Sequence, residues 1–156
     1  MKNSNSSTTA KLSLLLKEET LEQHANGAIT GIIMWCIDGK AFPDDAWNDF
    51  VVVVLGWWAG SINRLVTGES VTEVLDLMDG PFSVICDSSG VSVKCRFIQR
   101  TKGDRILAEW SGKTCELANE ILIVGRTVLR ICHQNCWMNS DIEILERQIH
   151  ALSILK

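Results

Sequence analysis

Tyrosine is absent from this 156-residue chain, proline occurs only twice and histidine only three times. Each scarcity removes a class of site. His24, His133 and His150 lie far apart in sequence, and none belongs to an HExxH helix or a dense metal-ligand spacing. A glycine-rich phosphate loop is missing too, because Gly39-Lys40 has neither the preceding glycines nor a following hydroxyl. The longest strongly apolar run, Phe50 through Trp58, is well short of a membrane span. Basic charge is not in excess: 19 acids against 15 Lys and Arg leave a formal charge of -4, which disfavours a dedicated nucleic-acid binder. The polar opening MKNSNSSTTAK lacks the apolar centre of a signal peptide, and residues 1–11 are expected to form a flexible segment. These features predict a cytoplasmic protein with no membrane or nucleic-acid partner.

What is present is an apolar chain of ordinary globular character, 46% hydrophobic, long enough for one domain over residues 12–156. Six cysteines (Cys36, Cys86, Cys95, Cys115, Cys132 and Cys136) mostly fall inside apolar patterns and read as buried free thiols. Cys132 and Cys136 form the best metal or redox candidate, two thiols facing one another at a helix end, yet no second pair completes a zinc site. Ser88-Ser89-Gly90 falls in a strand-to-strand turn rather than a nucleophile elbow. Asp38, Asp44, Asp45 and Asp49 are close in sequence, but capping and solvent exposure account for them. Lys94, Arg96, Arg100, Lys102 and Arg105 are the densest positive group and read as a solvated sheet face. No catalytic residue, metal or cofactor is expected.

The patterning predicts an α+β fold. ITGIIMWCI, Ile29–Ile37, is a strand stopped by Asp38-Gly39, with residues 12–17 as its partner strand or a short helix. The stretch FPDDAWNDFVVVVLGWWAG follows. Its four consecutive valines favour a strand, but Phe50, Val54, Trp57 or Trp58, Ile62, Leu65 and Val66 recur at helical spacing. Asn48 or Asp49 is placed to cap a helix and Thr67-Gly68 to end it. A long helix buried on two faces is expected. Gly56 and Gly60, four apart, should let a neighbour approach closely, with one of Trp57 and Trp58 packed between helix and sheet and the other filling the second face near Gly60. Beyond it come strands around Leu75, at 82–86, at 91–97 and at 106–110, linked by tight turns at Asp79-Gly80, DSSG and 101–105. Two helices close the chain, one from about Thr114 with Leu117, Ile121, Val124, Val128 and Cys132 in its stripe, the other opened by a Ser140…Glu143 capping box. The expected architecture is mainly one antiparallel sheet of about four to six strands, packed against the long buried helix and the two C-terminal helices.

The combination IDGKAFP, Trp47-x-Asp49-Phe50, LGWW ending at Trp58, and Met78-Asp79-Gly80-Pro81-Phe82 resembles small bacterial immunity proteins of polymorphic toxin systems, including those of contact-dependent growth inhibition. The similarity covers residues 30–86. It implies a stoichiometric inhibitor without turnover that binds the C-terminal toxic domain of a cognate effector, often a nuclease. Under that implication the exposed acids Asp44, Asp45, Glu69, Glu73, Asp76 and Asp79 are the expected contact residues, and Trp47, Phe50, Trp57 and Trp58 are the fold-defining core. The alternatives are an adaptor with a non-toxin partner or a homodimeric subunit, and third a small-molecule enzyme.

Overall fold

Strand β1 (Leu12–Gln23) lies antiparallel to β2 (Ile29–Ile37), and two short strands, β3 (Lys40–Phe42) and β4 (Asn48–Asp49), pair with β2 as well. The computed structural model describes residues 10–155. Residues 1–9 of the segment expected to be flexible lie outside that range. Residues 10 and 11 are tied down: Lys11 N donates to Asp38 Oδ1 at 2.7 Å, and the Ala10 carbonyl accepts from Trp110 Nε1 at 2.9 Å.

A second antiparallel sheet follows in the order β5 (Thr72–Asp76), β6 (Phe82–Ser89), β7 (Ser92–Thr101) and β8 (Gly103–Lys113). The β6–β7 hairpin turns on Gly90-Val91, with φ +73° at Gly90, the first central position, where a two-residue turn of this kind calls for glycine. The strands thus form two four-stranded sheets, where a single sheet was expected. The long helix α1 (Val51–Thr67) interrupts the chain between them and packs against both β2 and β5. Strands β3 and β4 are too short to carry a periodic signal and exist through their ladders with β2.

Aromatic rings join the two sheets. Phe42 of β3 meets Phe97 of β7 and Phe82 of β6 at centroid separations of 5.2 and 5.7 Å, and Trp35 of β2 meets Phe97 at 6.3 Å. Helix α1 adds Trp58, 5.5 Å from Trp35. Helices α2 (Thr114–Gln134) and α3 (Ser140–Ile154) pack on α1 and on each other, so α1 is buried on most sides. Its C-terminus ends as the sequence implies, with Gly68 at φ +77°. Packing of α3 runs along the Gly56 and Gly60 side, where a Cβ would meet Ile144 at 3.7 Å and Gln148 at 3.5 Å.

Three local expectations change. Phe50, not Asn48 or Asp49, is the N-cap of α1, and its side chain makes no capping bond. The β4 ladder holds Asn48 and Asp49 against Ile32 and Gly31, which turns the Asp49 carboxylate elsewhere. Asn139 takes the cap expected of Ser140: its Oδ1 accepts from Ile142 N at 2.8 Å while its Nδ2 donates to the Gly27 carbonyl at 2.9 Å. Cys132 and Cys136 do not face one another. Helix α2 ends at Gln134, so Cys132 is buried while Cys136 lies past the end, exposed, at φ +57°. The close thiol pair is Cys86 and Cys95, directly opposed across β6 and β7 with sulfurs 3.6 Å apart.

Candidate protein-binding face

The motif that stands out in the sequence converges at the seam between the sheets. Asp49 is 1% exposed, and its carboxylate accepts from Trp47 Nε1 at 2.9 Å, Phe50 N at 2.7 Å and Asp79 N at 3.4 Å. Three N–H donors satisfy a buried charge that would otherwise be costly. Trp47 stacks edge-on against Phe82 at 5.2 Å, and a Cβ on Gly80 would lie 2.9 Å from its ring. Gly80 also holds φ +75°, so the DGP turn needs glycine for both space and conformation. Trp47 and Phe50 are half-buried and Trp58 is fully buried.

Trp57 is the exception among the expected core residues. It is 46% exposed. Successive helical residues are set about 100° apart, so burying Trp58 against Trp35 turns Trp57 away. Helix α3 covers the Gly56 and Gly60 side and β5 lies beside Trp58, which leaves Trp57 in the gap between them. There it forms a shared wall, with Asp76, of two shallow depressions of about 370 and 360 Å³. The first is completed by Arg64, Val74, Ile144 and Gln148; the second by Met78, Pro81, Phe82 and Arg100. Val74, Met78 and Ile144 are themselves exposed.

Polar contacts stiffen this face. The Asp76 carbonyl accepts from Trp58 Nε1 at 2.7 Å, and its Oδ1 accepts from the buried Ser83 hydroxyl at 2.6 Å and pairs with Arg100 at 3.0 Å. Arg64 Nε donates to Glu73 Oε1 at 2.7 Å, and Ser70 Oγ to Glu73 Oε2 at 3.1 Å. Burial alone would raise the Glu73 pKa, but Arg64 and Ser70 together hold the carboxyl below its ordinary value.

The six acids singled out in the sequence do not form one cluster. Asp44 and Asp45 are exposed on the β3–β4 connection, where Asp44 Oδ1 accepts from Ala46 N at 2.8 Å. Glu69 is exposed between α1 and β5, and Asp79 is exposed in the β5–β6 turn. Glu73 and Asp76, both on β5, already carry arginine partners. Glu73 is only 15% exposed at its side chain, which fits a structural pair better than a contact point. The basic group is equally engaged in part, since Arg96 pairs with Asp87 and Arg100 with Asp76.

Val74 and Ile144 escaped the sequence reading because they read as ordinary apolar positions, and Met78 entered it only as part of the Met78–Phe82 motif. Of the expected contact acids Asp76 lines both depressions, whereas Trp57 was expected in the core. Among the described residues, no group of three or more His, Cys, Asp or Glu is placed to hold a metal ion, and no helix is long and apolar enough to cross a membrane. The chain matches no protein-family model, no curated protein and no solved structure.

Proposed function

We propose that the protein is a stoichiometric inhibitor, acting in the cytoplasm, that binds and neutralises the C-terminal toxic domain of a bacterial polymorphic toxin, with a nuclease as the expected toxin class. The observation that carries a binding role is the Trp57 face: a half-exposed tryptophan between two depressions, ringed by Val74, Met78 and Ile144 and braced by Arg64 and Arg100. Tryptophan, methionine and arginine are the residue types enriched where protein partners bind, and aromatic anchors dominate the binding energy. The toxin as partner rests on the resemblance of residues 30–86 to immunity proteins. Exposed Asp44, Asp45, Glu69 and Asp79 add a negative field that would speed encounter with a basic nuclease.

The test starts from the coding neighbourhood: a toxic tail found encoded beside this chain is co-expressed with it and scored for growth and then for a one-to-one complex, and a neighbourhood without one counts against inhibition. Rescue with copurification supports inhibition, and toxicity despite good expression of both chains refutes it. Trp57→Ala should weaken the complex at least tenfold while leaving the fold intact; unchanged affinity would move the contact to another face. The apolar centre of this face also favours a second reading, a homodimer or an adaptor with another partner. Light scattering of the purified chain separates the two, since a dimer dissociated by Trp57→Ala would support self-association.

A further inference from the structure

Besides the short β3 and β4, the strand orders leave β1, β5 and β8 at sheet edges, where a backbone can pair with another chain. Two of these edges are blunted. On β1 a register shift falls between Lys17 and Glu22, α2 packs against the strand, and the Leu14 amide donates to Glu120 Oε2 at 3.1 Å. On β8 the pairing slips opposite Phe97 and Ile98, and Lys40 Nζ donates to the Leu107 carbonyl at 2.9 Å. β5 has neither device. It carries no lysine or proline, and its ladder with β6 runs without a shift.

The alternation of an antiparallel ladder fixes which groups that edge presents, because every second residue bonds the neighbouring strand and those between turn their N–H and C=O away. Ser88 N donates to the Val71 carbonyl at 2.7 Å and Leu77 N to the Phe82 carbonyl at 3.3 Å, so Val71, Glu73, Leu75 and Leu77 bond to β6. Thr72, Val74 and Asp76 face outward. Trp58 Nε1 donates to the Asp76 carbonyl; nothing among the described residues takes the other outward amides and carbonyls of these three. Thr72 and Val74 are exposed, and Val74 and Asp76 line the depression that Trp57 shares with Ile144 and Gln148 of α3.

We infer that, on the Trp57 face proposed above as the binding surface, β5 is extended by a strand from a partner protein, a segment with an apolar middle and basic ends. Its backbone pairs with Thr72, Val74 and Asp76, and its side chains fall among Trp57, Val74 and Ile144. Charge selects the ends. Glu69 and Asp79, exposed and in no ion pair among the described residues, bracket β5, whereas Glu73 and Asp76 already pair with arginines. The same acids disfavour a second copy of this chain. Each lies five residues from Val74, so β5 paired with itself about Val74 brings Glu69 of one copy toward Asp79 of the other at both ends.

Amide NMR of the full chain is titrated with a short peptide of alternating valine and threonine, ended by lysine on both sides. Saturable shifts should centre on residues 72–76 and Trp57, with hydrogen exchange slowed at the Thr72 and Val74 amides. The same peptide ended by glutamate should bind about tenfold more weakly. Val74→Pro removes one outward N–H and no bond to β6, a position that proline tolerates in an edge strand. It should weaken the peptide about tenfold, as loss of one or two backbone bonds does, whereas Val74→Ala keeps the N–H and should bind more tightly than Val74→Pro. If Val74→Pro does not fold, exchange at the Val74 amide decides. No shifts at residues 72–76, shifts without slowed exchange, equal binding of the glutamate-ended peptide, or a dimer of the free chain dissociated by Val74→Pro would each overturn the inference. In the co-expression test, a complex weakened by Trp57→Ala but not by Val74→Pro overturns strand addition and leaves the Trp57 face standing; a complex indifferent to both removes the face as well.

Discussion

Replacing the two adjacent tryptophans one at a time separates fold from surface. Trp58 has no exposed area, lies 5.5 Å from Trp35, and donates its indole N–H to the Asp76 carbonyl at 2.7 Å. A buried tryptophan removes roughly 150–250 Å² from water, which at about 25 cal/mol per Å² corresponds to about 4–6 kcal/mol. Measured truncations of large core side chains fall at about 3–5 kcal/mol. A loss of that size is a large share of the ~5–15 kcal/mol that holds a domain folded. For a chain of this length it lowers the melting temperature by roughly 6–20 °C. Trp57→Ala, at a half-exposed site, should cost about 1 kcal/mol or less. Urea unfolding followed by circular dichroism, which does not depend on the deleted fluorophore, gives both values. Trp58→Phe keeps a ring in the core and loses only bulk and the indole bond, so it remains measurable if Trp58→Ala does not fold. Equal midpoints for the two alanine variants, or a larger loss for Trp57→Ala, would refute the assignment of one tryptophan to the core and the other to the surface.

Asp49→Ala should destabilise by about 3 kcal/mol or more, because it strands the Trp47 indole and the Phe50 and Asp79 amides at a buried seam; a chemical melt within 1 kcal/mol of wild type would show that these donors find other partners. The depressed pKa of Glu73 contributes stability that is present above its unfolded value of about 4.5 and is lost as pH falls through the lower folded value. Glu73→Gln should therefore narrow the stability difference between pH 7 and pH 3, and an unchanged difference would remove Glu73 from the acid response. Thiol labelling of the native protein should be fast at Cys115 and Cys136, which are exposed, and slow at Cys86, Cys95 and Cys132, which are buried. The Cys95 thiol and burial push Cys86 well above its ordinary pKa, and burial pushes Cys132 up to about 11, so neither presents much thiolate at neutral pH. Mass mapping that finds Cys86 or Cys132 modified as early as Cys115 would contradict this burial.

Legibility in the sequence follows the range of the interactions concerned. The β6–β7 hairpin is readable from Gly90 and the alternation of Val93, Cys95 and Phe97, although Asp87, Ser88 and Ser89, expected in the turn, pair within β6 and Val91, expected in the strand, is in the turn. The turn at Gly90-Val91 places Cys86 opposite Cys95, a register that the expected turn over residues 87–90 would have missed. Helix α1 is readable despite four valines because seventeen residues keep a helical period and Gly68 ends it. The capping residues are less readable. Asn139 and Ser140 are both good caps, and the choice rests on the contact of Asn139 with Gly27, more than a hundred residues away. The division into two sheets is likewise non-local, since it depends on where α1 lodges between β2 and β5.

The tandem tryptophans show the boundary most sharply. Helical geometry fixes the angle between Trp57 and Trp58, and it forbids both from entering one core. It cannot say which side of the helix lacks a neighbour. That depends on α3, whose sequence lies some ninety residues further on and whose packing along Gly56 and Gly60 stops short of Trp57. The surrounding motif is different in kind. Asp49, Trp47, Gly80 and Phe82 are spread over more than thirty residues, yet each contacts another member of the set, so any substitution there acts on the seam between the sheets. Trp57 interrupts that set without joining it. Its ring contributes little to the core and much to an exposed apolar face, so replacing it perturbs the surface separately from the fold.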